Sequence, residues 1–197
     1  MFRLERPNMA INDPRVAGAA PTGGGPAPRR RFQMWNTWDI QTDEKREHII
    51  GWVAKVAGDA QGGRLRHLVL SGHGAPATLD IGEGFSRSHL PLFDRWRGLV
   101  DKIWLPNCTV AFIGDTPERD GNLFCSDLAK RIGGYVVAAT ELQCEFPRDV
   151  PPDMMTSFEG LVLSYGPAGN VTWSSRNASM WMRTAPDGTQ QCVPVPD

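Results

Sequence analysis

Two side chains in this sequence have the types and the settings for nucleophilic chemistry. His73 stands between glycines in Ser71-Gly72-His73-Gly74, and Cys108 lies in Pro106-Asn107-Cys108-Thr109. A cysteine attacks a carbonyl carbon as its thiolate, and a histidine can take the thiol proton and return it to a leaving group. The tetrahedral intermediate of such an attack needs donors aimed at its oxyanion. The backbone N–H groups of Gly74 and Cys108 are the candidates, because glycine lets the histidine loop turn inward.

Other residues compete for these roles. Cys144, in a long loop containing Pro147, Pro151 and Pro152, is the rival nucleophile. Cys125 shares a helical face with Leu128, Ala129 and Ile132 and reads as core, and Cys192 sits in a polar, Pro-rich tail. A serine hydrolase elbow needs Gly-x-Ser-x-Gly, but Val69 stands two places before Ser71. No Cys/His pair has zinc-finger spacing, so no metal is expected, and no cofactor is called for.

The elements that must position His73 and Cys108 are legible as alternating strands and helices. Leu68-Val69-Leu70 is an uninterrupted apolar run of the kind found in parallel strands buried on both faces, and it ends at the histidine motif. Ile103-Trp104-Leu105 is a second such run, ending at the cysteine motif. Function in parallel sheets sits at the carboxyl ends of strands, and adjacent strands lie about 4.8 Å apart. A first strand is expected at Phe32–Asn36. A helix capped by Thr42, with Ile49, Ile50, Val53, Val56 and Ala57 on one face and Gly58 as its stop, should follow. Ala77–Gly82 reads as a small hairpin or edge strand. Leu92, Phe93, Trp96, Leu99 and Val100 mark a helix, and Leu123, Phe124, Leu128, Ala129 and Ile132 mark another that ends at Gly133-Gly134. Tyr135–Ala139 is a further buried strand, and Leu161–Tyr165 with Val171–Ser174 flank a Gly-Pro turn as a hairpin.

Composition bounds the rest. The chain has 197 residues, 41% of them hydrophobic, enough for one sizeable core. Lys and Arg total 21 against 22 acids, a formal net charge of −1, which gives no electrostatic case for nucleic acid. No apolar run reaches the roughly 20 residues that span a bilayer. Residues 1–31 read as a flexible Gly/Pro-rich leader, 32–185 as the folded domain and 186–197 as a flexible tail. Four cysteines are too sparse for a disulfide scaffold, so they are expected to be reduced. With no apolar core of a secretory signal at the N-terminus, a cytoplasmic location is expected.

A buried strand ending in Ser-Gly-His-Gly, a helix, and a strand ending in a cysteine together resemble the caspase-like cysteine peptidases. That superfamily includes caspases, clostripain, legumain, separase and the self-processing protease domains of bacterial toxins. The helix ending in Gly133-Gly134 followed by Tyr135-Val136-Val137-Ala138-Ala139-Thr140 is similar to the strand after the nucleophile in that fold. The resemblance implies an α/β three-layer sandwich with a mostly parallel central sheet and a C-terminal antiparallel hairpin. It implies His73 as general base, Cys108 as nucleophile, and Gly74 and Cys108 as the oxyanion hole. A protein or peptide would be the substrate. A clostripain-type pocket needs a carboxylate, for which Glu141 is the candidate, and a caspase-type pocket needs a cation, for which Arg148 is the candidate. One clear strand precedes the histidine strand, where larger members have two, so a truncated sheet is expected. The competing reading is an inactive caspase-like fold that serves as a binding or scaffold module.

Overall fold

The computed structural model describes residues 1–16, 32–144, 150–188 and 190–195. A short β1 (Phe2–Arg3) precedes β2 (Asn8–Asn12), whose Met9, Ala10 and Ile11 are fully buried. After β3 (Asn36–Asp39) and α1 (Arg46–Asp59) comes β4 (His67–Ser71), the histidine strand. It runs into a small antiparallel sheet of β5 (His73–Ala75), β6 (Thr78–Asp80) and β7 (Phe85–Ser86). A 3-10 helix (Arg87–Trp96) leads to β8 (Lys102–Leu105), then α2 (Gly121–Ile132) and β9 (Tyr135–Ala139). The C-terminal part holds β10 (Met154–Met155), β11 (Leu161–Tyr165), β12 (Val171–Arg176), and a hairpin of β13 (Met180–Thr184) and β14 (Gln190–Pro194).

A seven-stranded sheet in the order β12-β11-β9-β8-β4-β2-β3 organises the molecule. The five strands from β3 to β9 are parallel to their neighbours, while β11 and β12 add an antiparallel edge. The three crossovers β3 to β4, β4 to β8 and β8 to β9 all step across the sheet in one direction. Right-handed crossovers therefore put their helices on one face. Val53 of α1, Phe93 and Trp96 of the 3-10 helix, and Phe124 and Leu128 of α2 accordingly share one core cluster. The connection from β2 to β3 steps the other way, and Phe32 and Met34 at its end pack on the opposite face, with Leu4, Ala10, Val137, Phe158 and Val162.

The mixed α/β architecture, the mostly parallel sheet and the antiparallel hairpin near the C-terminus are as expected. Among the described residues the helices cover one face, and the other carries the short β1–β10 pair together with segments outside helices and strands, so the layering of a three-layer sandwich is not shown. No helix among them is long and apolar enough to cross a membrane.

The expected leader fails at its first half. β2 is an interior strand, inserted between β3 and β4, so among the described residues two strands of this sheet precede the histidine strand and the sheet is not truncated. Its apolar run, Met9-Ala10-Ile11, lies between Pro7 and Pro14 just ahead of the Gly/Pro-rich stretch, and for that reason reads as part of a leader. Both asparagines of the strand are buried and bonded. Asn8 Nδ2 donates to Leu4 O at 2.9 Å and its Oδ1 accepts from Trp35 N at 2.7 Å. Asn12 exchanges two hydrogen bonds with the backbone of Phe32, at 3.1 and 2.9 Å. Residues 17–31 of the expected leader lie outside the described residues.

The expected tail is likewise wrong over residues 190–194, which pair with β13 along its length. The strand expected at Phe32–Asn36 lies instead at Asn36–Asp39, and it is the third strand rather than the first. The helix after it starts at Arg46 with Lys45 as N-cap rather than at Thr42, and it runs through Gly58. The helix before the cysteine strand is 3-10, and Leu90, Phe93 and Trp96 recur every third residue to form its buried stripe.

Two measurements test this packing. Ile11→Ala should lower the unfolding free energy by about 2–5 kcal/mol, the range for truncating a buried isoleucine. A urea-melt change below about 0.5 kcal/mol, typical of surface sites, would place residue 11 outside the core. The second concerns His67, whose Nδ1 accepts the Trp104 indole N–H at 3.1 Å. Burial, reinforced by the Lys102 ammonium, lowers its pKa from 6.5 to about 4. The unfolded imidazole takes up its proton near 6.5, the folded one near 4, so unfolding binds a proton in between. Its contribution is whole above pH 6.5 and is lost as pH falls toward 4. His67→Gln keeps an acceptor but does not titrate, so its melting temperature should fall less steeply than wild type over that window. Parallel curves would contradict the account.

Candidate active site

Strands β4 and β8 are neighbours in register Leu68 to Ile103 and Val69 to Trp104, so their carboxyl ends emerge side by side. The two loops that leave them are joined by one side chain. The Asn107 Nδ2 donates to Gly72 O at 2.8 Å and to His73 O at 3.2 Å. Two carbonyl acceptors fix which way this carboxamide faces. Its Oδ1 is buried without a partner among the described residues. The backbone approach is equally close at Gly74, where a Cβ would lie 2.7 Å from Cys108 O and 2.8 Å from Asn107 Cβ.

His73 is the first residue of β5, and its ring is exposed. Its Nε2 lies 3.1 Å from the Arg15 carbonyl oxygen. A carbonyl only accepts, so Nε2 carries the proton, and Nδ1 holds the lone pair of the neutral ring. The Arg15 backbone is itself anchored. Its guanidinium donates to Asp13 at 2.8 and 2.6 Å and to Gly82 O at 2.9 Å, and pairs with Asp80 at 2.8 Å. Burial pushes the Asp13 carboxyl up, but the Arg15 and Gly82 N–H donors outweigh it and hold the group below its ordinary value. These residues sit just past β2, at the point where strand order reverses and α/β sheets open a crevice. They were missed in the sequence because they fell in the expected leader; Asp13-Pro14-Arg15 directly after Met9-Ala10-Ile11 was the available signal.

Cys108 is half-buried and its thiol is free. Gln143 N–H donates to Sγ at 3.4 Å, and Sγ lies 3.7 Å from Gln143 O. No hydrogen bond joins the His73 ring to this thiol among the described residues. The next residue, Thr109, has φ 52, a left-handed conformation that a β-branched residue enters only under constraint. Hydrogen bonds from Thr109 N to Glu141 O and from Ala111 N to Ala139 O, both 3.0 Å, hold that turn to the end of β9. The Cys108 backbone N–H has no partner among the described residues.

The remaining candidates separate clearly. Cys144 is joined to Cys192 by a disulfide, which corrects the expectation that all four cysteines are reduced and removes Cys144 as a rival nucleophile. The pairing escaped the sequence because the two residues are 48 positions apart. Cys125 is fully buried in α2, where burial pushes its thiol far up. Glu141 lies at the end of β9, but its Oε1 accepts from Leu161 N at 3.3 Å and pairs with Arg176 at 3.1 Å. Arg148 lies outside the described residues. Among the described residues, no group of three His, Cys, Asp or Glu side chains could hold a metal. No protein-family model, curated protein or solved structure matches the chain.

A paired substitution tests the contact between the loops. Gly74→Ala forces a methyl group against Cys108 O and should destabilise by about 1–3 kcal/mol. Gly58→Ala, in open space on α1, should stabilise by about 0.5–1 kcal/mol. Equal effects of the two in urea melts would contradict the close approach.

Proposed function

We propose that this chain is a cysteine endopeptidase of the caspase-like type, with His73 as general base and Cys108 as nucleophile. The observation that carries the reading is the junction at the ends of β4 and β8. There the Asn107 amide ties the histidine loop to the cysteine loop, and the Arg15 carbonyl sets the histidine tautomer. Two strands of the seven-stranded sheet before the histidine strand, as in larger members of that superfamily, support the same reading.

The mechanism follows from these groups. An extended peptide lies across the carboxyl ends of the parallel strands with its scissile carbonyl over Cys108. The thiol turns from Gln143 toward His73, whose Nδ1 takes the proton. The thiolate attacks the carbonyl carbon, forming the C–S bond, and the Cys108 and Gly74 N–H groups hold the oxyanion. The imidazolium gives its proton to the leaving nitrogen as the C–N bond breaks. Water, deprotonated by His73, then cleaves the acyl-enzyme and restores the thiol. A charged substrate side chain meets no uncompensated partner at Arg15 or Glu141, since each already stands in an ion pair.

The scaffold reading is favoured by one observation: the thiol hydrogen-bonds to the Gln143 backbone and not to His73. Catalytic hydrogen bonds often tighten only with substrate bound, so a digest decides. A mixed peptide library should be cleaved by wild type, while Cys108→Ala and His73→Ala, folded by circular dichroism, should each lose about three or more orders of magnitude in rate. No cleavage by wild type over a wide peptide range, or equal cleavage by Cys108→Ala, would leave the scaffold reading standing.

A further inference from the structure

On the face of the sheet opposite α1, α2 and the 3-10 helix, away from the histidine and cysteine loops, lies a cavity of about 410 Å³. Its volume falls within the range of ligand pockets, roughly 300–1,000 Å³. Phe2, Trp104, Phe158, Trp173 and Val162 supply apolar wall, and Lys102 is the one charged residue lining it among the described residues. The aromatic wall is fixed in place. Trp104 stacks on Phe158 with ring centroids 6.4 Å apart, contacts Phe2 at 5.1 Å, and donates its indole N–H to His67. Trp173 is exposed at the open side.

The cation is the informative feature. Two carboxylates that act on neighbouring His67 are engaged elsewhere, Glu5 with Arg66 and Asp101 with Arg64. Lys102 has no carboxylate partner among the described residues. Its ammonium rests over the Trp104 and Tyr135 rings, 5.3 and 5.4 Å from their centroids. Contact with an aromatic face is weaker than a charge-assisted hydrogen bond, so the group is available to an anion at the cavity rim. His67 accepts the indole N–H through Nδ1 and adds no second charge.

We infer that this cavity binds an amphiphile with one anionic head, a medium-chain carboxylate, with its chain against the aromatic wall and its carboxylate on Lys102. The site is separate from the proposed peptidase chemistry and stands or falls without it. Calorimetric titration of the full chain with decanoate and decyltrimethylammonium below their micellar concentrations, and decanol below its solubility limit, tests the assignment. Decanoate should bind saturably at one site, about tenfold or more tighter than the other two, the value expected of one charge-assisted contact. Lys102→Met and Lys102→Gln should bring decanoate to the level of decanol. Trp173→Ala, at an exposed position, should weaken both by about fivefold, equivalent to lost apolar contact, with unchanged thermal melts. Absence of saturable decanoate binding, equal binding of the three probes, full decanoate affinity in the Lys102 variants, or unchanged affinity in Trp173→Ala would each overturn it.

Discussion

The arrangement at the sheet's carboxyl edge depends on the carboxamide of Asn107. Parallel pairing of β4 and β8 brings two loops to the same edge, but pairing alone does not set how those loops lie. Asn107 does so with two hydrogen bonds from one nitrogen to consecutive carbonyls, Gly72 and His73. The bond to Gly72 is buried and the one to His73 partly so, and losing a buried partner costs about 1–3 kcal/mol, so the geometry resists fraying. The same side chain leaves its oxygen unpartnered. That residual cost is tolerated at a junction which seats Gly74 directly on the Cys108 carbonyl.

Around that junction, three strands each deliver one component. The end of β2 supplies Arg15, whose carbonyl orients His73, and the Asp13–Arg15–Asp80 ion pairs hold that segment to the small β5–β6–β7 sheet. The end of β8 supplies Cys108 and the constrained turn at Thr109. The end of β9 supplies Gln143, whose backbone carries the thiol and whose side chain is fixed by Glu141, Leu142 and Glu159 carbonyls. Next to it, the Cys144–Cys192 disulfide ties the β13–β14 hairpin to this rim.

Periodic apolar runs made most of the sheet legible. Leu68–Leu70, Ile103–Leu105 and Tyr135–Ala139 are unbroken apolar runs that each follow a helical stripe, and the stripe of α1 matches its buried face residue by residue. What stayed hidden was set by non-local contacts. β2 has three apolar residues between two asparagines, and only neighbours on both sides make it a strand. Thr42 has the chemistry of a cap, but α1 begins later, where Glu83 pairs with Lys45 and Arg46. Of the site, His73, Gly74 and Cys108 were readable from local motifs. The orienting carbonyl of Arg15 was not, because any residue can supply a carbonyl and only the fold decides which one arrives. Glu141 was placed at the correct strand end, yet its charge is spent on Arg176, an ion pair 35 positions apart in sequence.

The central claim is that His73 and Cys108 act as one unit, and the rate of Cys108 alkylation against pH reports this without any substrate. Iodoacetamide consumption should be followed by mass spectrometry across pH 5–10 in wild type and His73→Ala, with Cys125 as the buried internal reference. The account predicts fast, selective labelling of Cys108 in wild type, with a profile that both slows and moves when the imidazole is removed. Superimposable profiles for the two proteins would show that the histidine does not act on the thiol, and would contradict it.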